Sequence, residues 1–121
     1  MKVGYVVLYV KDELACAKFW TEQVGMVVKQ HTPAGENSVI KVGFEDQDFS
    51  LELVPLALMQ DNPHGLDLAT PSMAFYVDDL EATHARLVAA GVEAMPPGDN
   101  FGMRTFAFSD NEARWFAVIQ K

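Results

Sequence analysis

The sequence is poor in cysteine and in basic residues, and it has no long apolar run. Cys16 is its single cysteine, so no disulfide can form within the chain. The 121 residues carry nine Lys and Arg against seventeen Asp and Glu, a net charge of −8. This charge excludes a nucleic-acid binder, because neutralising phosphates requires a basic surface. The longest apolar stretch, residues 3–10, is too short for a membrane-spanning helix of about 20 residues.

These exclusions leave a soluble, folded, cytoplasmic protein as the expectation. Half of the residues are hydrophobic, which is enough for a core and too much for a disordered chain. Cys16 is predicted to be a small core residue of a helix in a reducing compartment. The acidic character suits a cationic ligand, or it serves solubility alone.

Hydrophobic patterns predict two copies of the order strand, helix, strand, strand, strand. The predicted strands are 3–10, 26–31, 39–44 and 49–54, then 72–77, 92–95, 103–108 and 115–120. Each predicted helix begins after an aspartate, Asp12 in the first copy and Asp78 or Asp79 in the second. Each ends at a glycine, Gly25 or Gly91. Residues 96–100 are predicted to form a loop.

The two copies also match in sequence when one is laid on the other. The identical pairs are Tyr9 and Tyr76, Val10 and Val77, Asp12 and Asp79, and Ala15 and Ala82. Because one copy alone has too little core, we expect a single domain over 1–121. Module one covers about 1–55, a linker covers 56–70 and module two covers 71–121. The stretch around the linker is rich in proline and has no clear period, which is typical of a linker or lid.

Three stretches, 5–26, 72–92 and 101–112, carry a resemblance to a known family. They include Tyr-Val-Val-Leu-Tyr-Val-Lys-Asp at 5–12, Ala-Phe-Tyr-Val-Asp-Asp-Leu at 74–80 and Ser-Asp-Asn-Glu at 109–112. Together they resemble the vicinal oxygen chelate superfamily, also called the glyoxalase, bleomycin-resistance and dioxygenase group, and the last is similar to its Asp-Pro-Asp-Gly turn. The resemblance implies an α+β fold of two tandem βαβββ modules that form a curled mixed sheet around a cavity, with helices outside. It also implies a homodimer.

The resemblance further implies a divalent metal held at four strand positions. In this sequence they correspond to Tyr5, Glu52, Ser72 and Ala117. Only Glu52 is an ordinary metal ligand. With three of the four positions lacking usable ligands, we predict no metal and no cofactor. A rebuilt metal site from His31, Glu52 and His64 is an alternative that requires the linker to fold over the cavity.

Strand alternation predicts which side chains line the cavity. If Tyr5 and Glu52 face inward, the wall is aromatic and apolar with a few polar groups, as in small-molecule sites. The predicted ligand-binding residues are Tyr5, Tyr9, Glu52, Ser72, Tyr76, Met103, Thr105 and Trp115. The alternative is that these aromatic side chains only fill the barrel.

Glu52 is predicted to need a cation, because a carboxylate among aromatic side chains is costly unless it is paired. Arg104 or a cationic ligand is the expected partner. By alternation, however, Arg104 faces away from Met103, which leaves an outer salt bridge as its other interpretation.

The sequence therefore predicts a metal-free small-molecule-binding protein of the glyoxalase and bleomycin-resistance type. It would sequester an aromatic or cationic ligand, as in antibiotic resistance. The alternative is a metal-dependent lyase, isomerase or dioxygenase with an atypical metal site. The partners expected are a small molecule and a second copy of the chain, without nucleic acid or membrane. The modules could pair within one chain or swap between two.

Overall fold

The computed structural model describes residues 1–121, which form two compact units, Met1–Pro71 and Ser72–Lys121. Each unit contains a curled four-stranded mixed sheet with a helix on one face. The predicted α+β class and the two tandem modules are thereby confirmed. Neither unit has a helix that is long and apolar enough to cross a membrane.

The first unit contains four strands and one helix that changes type along its length. The strands are β1 (Val6–Val10), β2 (Val27–Ala34), β3 (Asn37–Gly43) and β4 (Leu51–Pro55). Helix α1 (Glu13–Lys18) continues directly as a π-helical segment (Phe19–Val24), and a 3₁₀ turn (Leu56–Met59) follows β4. The order in the sheet is β1-β4-β3-β2, with β1 parallel to β4 and the other pairs antiparallel.

The second unit repeats this arrangement. Its elements are β5 (Ala74–Val77), α2 (Leu80–Ala89), β6 (Gly98–Asn100), β7 (Met103–Ser109) and β8 (Trp115–Gln120). The order in the sheet is β5-β8-β7-β6, with β5 parallel to β8. The first and last strands of each module are therefore neighbours in both sheets.

The two helices begin with the same cap, as the sequence match predicts. The carboxylate of Asp12 accepts the backbone N–H of Ala15 at 3.0 Å, and that of Asp79 accepts the N–H of Ala82 at 3.0 Å. Both aspartates have extended backbones and satisfy a donor that the first helical turn leaves unpaired. Asp79, not Asp78, is thus the second cap. Gly25, with φ of 104°, closes the first helix in the left-handed region.

The sixth strand lies later in the sequence than predicted. Residues 98–100 pair with β7, whereas the predicted strand 92–95 contributes only an isolated bridge between Ala94 and Phe108. The backbone N–H of Met95 still donates to the carbonyl of Ala107. Pro96 and Pro97 then interrupt the ladder, because proline has no N–H to donate. Regular pairing resumes only beyond them, where the sequence was interpreted as a loop.

One face of each sheet is buried under its helix, and burial alternates along β1, β3, β4, β7 and β8. In the first unit the buried residues are Leu8, Val10, Ile40, Val42, Leu51 and Leu53, with Cys16 and Trp20 from the helix. In the second unit they are Phe106, Phe108, Phe116 and Val118, with Leu80 and Leu87 from α2. The predicted core role of Cys16 is confirmed. The alternation leaves the opposite face of each sheet without a helix.

A buried carboxylate ties α1 to the β2–β3 hairpin. Glu13, in the first turn of α1, is 5% exposed and accepts the backbone N–H of Ser38 at 2.6 Å. The hydroxyl of Ser38 lies 3.4 Å from the same oxygen. Hydrogen bonds to a charged acceptor are stronger than neutral ones, and a buried donor left without a partner is costly.

We expect Glu13→Ala to lower the free energy of unfolding by about 2 kcal/mol, because it leaves the buried N–H of Ser38 unsatisfied. Glu13→Gln keeps an acceptor oxygen and should lose less. Chemical denaturation measures both, with Glu22→Ala on the exposed side of the same helix as the control. Equal losses for Glu13→Ala and Glu22→Ala would contradict this role.

Candidate functional site

The face of the first sheet away from α1 is named here the first open face. Its residues are Tyr5, Val7, Tyr9, Lys41, Glu52 and Val54. Strand register brings the central ones together, since Glu52 on β4 is paired with Val7 on β1 and with Lys41 on β3. Tyr5 lies immediately before β1. Three predicted site residues, Tyr5, Tyr9 and Glu52, thus share one surface.

Lys41 connects two of these residues. Its ammonium lies 3.9 Å from Oε2 of Glu52 and 4.0 Å from the centre of the Tyr5 ring. The Lys41 and Glu52 side chains are 23% and 17% exposed, so the ion pair is partly buried and still accessible to solvent. Directly opposite charges on neighbouring strands stabilise a sheet, and an ammonium over an aromatic face adds a cation–π contact.

Of the two partners expected for Glu52, Arg104 forms its ion pairs elsewhere. Arg104 instead donates from Nε to Glu81 of α2 at 2.9 Å and forms a second ion pair with Asp99 at 3.6 Å. The hydrogen bond to Glu81 is the main cause that raises the pKa of Arg104 above its ordinary value. Arg104 therefore belongs to the outer salt bridge that was its other interpretation, on the helix side of the second sheet.

The face of the second sheet away from α2 is named here the second open face. Its residues are Ser72, Ala74, Tyr76, Met103, Thr105, Trp115, Ala117 and Ile119. Five of them are predicted site residues. Tyr76 is 69% exposed and Trp115 is 44% exposed. The Thr105 hydroxyl donates to the carbonyl of Val118 at 2.7 Å. This face is thus an aromatic and apolar surface with few polar groups.

A cleft of about 370 Å³ lies beside β1 within the first unit. One wall is formed by β1, including Tyr9, and the other by residues of the segment 66–71. Asn62 braces this segment, because its side-chain amide donates to the carbonyl of Leu66 and accepts the Leu66 N–H. The stretch predicted as a linker or lid is therefore folded locally, and it forms part of a concave surface.

The residues at the four positions implied by the family resemblance do not fit a divalent metal. Tyr5, Ser72 and Ala117 offer no carboxylate or imidazole, and the Glu52 carboxylate is paired with Lys41. Nowhere does the chain bring together three or more His, Cys, Asp or Glu side chains that could hold a metal ion.

The alternative metal site is not assembled either. Strand register pairs His31 on β2 with Ile40 and pairs Gln30 with Lys41. Since Ile40 and Lys41 point to opposite faces of β3, His31 and Glu52 lie on opposite faces of the sheet. His64 is exposed, in a turn of the segment between β4 and β5.

The turn between β7 and β8, which resembles the family's Asp-Pro-Asp-Gly turn, is built around a buried ion pair. Asp110 accepts the backbone N–H groups of Glu112 and Arg114 at 2.9 Å, and its second oxygen lies 3.1 Å from the Arg114 guanidinium. Glu112 pairs with the same guanidinium at 3.0 Å. Burial lowers the pKa of Arg114, but the hydrogen bonds to Asp110 and Glu112 outweigh it and raise the pKa overall. This cluster is structural and fixes where β8 begins.

Comparison with known proteins defines the family. The family model of the Glyoxalase/Bleomycin resistance protein/Dioxygenase superfamily matches residues 2–117, so the chain belongs to this superfamily. The uncharacterized protein YetH of Bacillus subtilis (strain 168) is 28% identical over 119 residues, which cover 97% of this chain and 96% of YetH.

Solved structures share the fold. TnmS3, an antibiotic binding protein from Streptomyces sp. CB03234, is similar with a TM-score of 0.80 and 23% identity, covering 99% of this chain and 95% of TnmS3. A superfamily member from Sphaerobacter thermophilus DSM 20745 is similar with a TM-score of 0.82 and 16% identity, covering 100% of this chain and 98% of its own.

Sequence reasoning missed Lys41 and the cleft wall at 66–71. Strand alternation places Lys41 on the same face as Val39 and on the face opposite to buried Ile40 and Val42. The position of Lys41 on the open face could therefore have been predicted from the sequence. Its pairing with Glu52 additionally required the register of two strands. The cleft wall depends on the hydrogen bonds between Asn62 and Leu66. These could not be predicted from a proline-rich stretch without hydrophobic periodicity.

Proposed function

We propose that this chain is a small-molecule-binding protein that sequesters a planar aromatic ligand without using a metal ion. The observation that carries the proposal is the placement of large aromatic side chains on the open faces. Tyr5, Tyr76 and Trp115 are 42%, 69% and 44% exposed, although each adjoins a sheet whose other face packs against a helix. Large exposed aromatic side chains on a surface with few polar groups are typical of ligand-binding surfaces.

The predicted ligand-binding residues belong to this proposal as two groups. Tyr5, Tyr9 and Glu52 are proposed to act on the first open face, next to the cleft beside β1. Ser72, Tyr76, Met103, Thr105 and Trp115 are proposed to act on the second. Stacking on the aromatic rings would supply most of the affinity, and the polar groups would orient the ligand.

The comparison with TnmS3 supports this proposal over an enzyme of the same superfamily. TnmS3 is described as an antibiotic binding protein, and its fold is shared by this chain. The donor set at Tyr5, Glu52, Ser72 and Ala117 does not suit the metal that a lyase, isomerase or dioxygenase of this superfamily would need. Assembly as a homodimer and a cytoplasmic location stay predictions.

Tryptophan fluorescence tests the proposal, because the two tryptophans report on different places. Trp20 is buried in the core, whereas Trp115 lies on the second open face. With a panel of planar aromatic antibiotics in the presence of EDTA, we expect at least one compound to quench the fluorescence saturably. In Trp115→Phe the quenching should disappear, while calorimetric affinity changes by less than about threefold because the ring is kept.

Two results would overturn the proposal. One is the absence of saturable binding by any compound of the panel. The other is binding that occurs only after a transition metal is added back. Quenching that survives unchanged in Trp115→Phe would instead move the ligand away from the second open face.

A further inference from the structure

Lys41 lies beside Glu52, at the position where the sequence analysis expected Arg104 or a cationic ligand. Its ammonium is beside the Glu52 carboxylate, at 3.9 Å, and over the Tyr5 ring, at 4.0 Å. A carboxylate and an aromatic face are the two features that recognise a cation. Here both are already engaged by a cation that belongs to the chain.

The charge on the first open face is therefore balanced before any ligand binds. A second cation near Glu52 would meet the like charge of Lys41, which is unfavourable in a partly desolvated place. To bind there it would have to share the Glu52 carboxylate with the ammonium or displace the ammonium from both contacts. The net charge of −8 favours cations only at long range, where salt screens it.

The Lys41 ammonium still has hydrogen-bonding capacity toward a ligand. An ammonium carries three N–H donors. The distance of 3.9 Å to Glu52 is too long for a hydrogen bond, and the contact with the Tyr5 ring is electrostatic. An oxygen acceptor on a ring stacked near Tyr5 could therefore receive an N–H from Lys41.

We propose that Lys41 determines ligand specificity on the first open face, selecting aromatic compounds with an acidic oxygen substituent and rejecting cationic ones. This inference rests on the proposed function, since it concerns the ligand of the same surface. The sequence predicts an aromatic or cationic ligand, and this inference narrows that class to aromatic anions. The preference would run against the net charge of the protein, so a general electrostatic effect cannot produce it.

Three naphthalene probes with one shared ring system test this proposal: the carboxylate, the carboxamide and the methylammonium, each substituted at the same ring position. Calorimetric titration of the wild-type protein should show the carboxylate binding about tenfold or more tighter than the methylammonium, with the carboxamide between them. Lys41→Met should reverse this order, because Glu52 is left without its cation.

The control is Lys18→Met, which makes the same change in net charge on the exposed side of α1 and should keep the wild-type order. The double variant Lys41→Met/Glu52→Gln has neither charge and should bind all three probes within about threefold; it also serves if the single variant folds poorly. Probes that bind the wild-type protein equally, or a Lys41→Met variant with the wild-type order, would overturn this inference alone. Binding of none of the probes would count against the proposed function and the inference together.

Discussion

Asp110→Ala is expected to lower the free energy of unfolding by about 3 kcal/mol or more, because breaking a buried ion pair leaves its partner uncompensated. The Asp110 side chain is fully buried, and Arg114 is only 11% exposed. The substitution would also leave two backbone N–H groups, of Glu112 and Arg114, without their acceptor.

Chemical denaturation of Asp110→Ala, Asp110→Asn and Asp46→Ala measures this effect. Asp110→Asn keeps an oxygen for the backbone donors but loses the charge, so its loss should be intermediate. Asp46 is exposed in the loop before β4, and its removal should change stability by less than about 0.5 kcal/mol. A loss at Asp110 no larger than that at Asp46 would show that the turn does not depend on this ion pair.

Tyr76→Ala is expected to weaken binding of an aromatic ligand roughly tenfold to hundredfold, since stacking on one aromatic side chain contributes about 1–3 kcal/mol. Tyr76 is 69% exposed, so its truncation removes little packing within the second unit. We expect the free energy of unfolding to change by less than about 1 kcal/mol. The substitution would therefore lower the binding affinity and leave the stability of the fold nearly unchanged.

Calorimetric titration with the antibiotic that saturates the wild-type protein provides the measurement. Tyr76→Phe keeps the ring and should retain affinity within about threefold, which separates stacking from hydrogen bonding by the hydroxyl. Val88→Ala, on the exposed side of α2, is the control for a large apolar residue off the open face. Unchanged affinity in Tyr76→Ala would remove Tyr76 from the proposed site.

The fold was predictable where local chemistry and long-range packing agree. Asp12 and Asp79 could be recognised as caps because an aspartate before an apolar periodic segment satisfies the first helical turn. Leu53 and Phe108 are buried on the helix side of their sheets, as alternation requires, since side chains of a strand point to opposite faces in turn. The sixth strand was displaced because Pro96 and Pro97 decide where pairing can resume, and their effect depends on the neighbouring strand.

The candidate site was predictable in its aromatic residues but not in its charges. Tyr5 and Glu52 were placed on one face by the metal positions that the resemblance implies, and alternation then placed the residues of the same strands. That the cation beside Glu52 is Lys41 and not Arg104 depends on strand register, which no local pattern determines. Arg104 lies on the helix side of its sheet, as its alternation with Met103 predicts, and there it pairs with Glu81 of α2. The resemblance located the four metal positions. Because three of them hold Tyr5, Ser72 and Ala117, the sequence could indicate that a divalent metal does not fit there.

Native mass spectrometry tests whether the chain binds an intact aromatic molecule without a metal, because it weighs protein, ligand and metal together. The sample is the chelated protein mixed with the antibiotic that saturates it. We expect a complex whose added mass equals the unchanged antibiotic alone. A complex that also carries a transition metal ion, or an added mass that corresponds to a converted product, would contradict it.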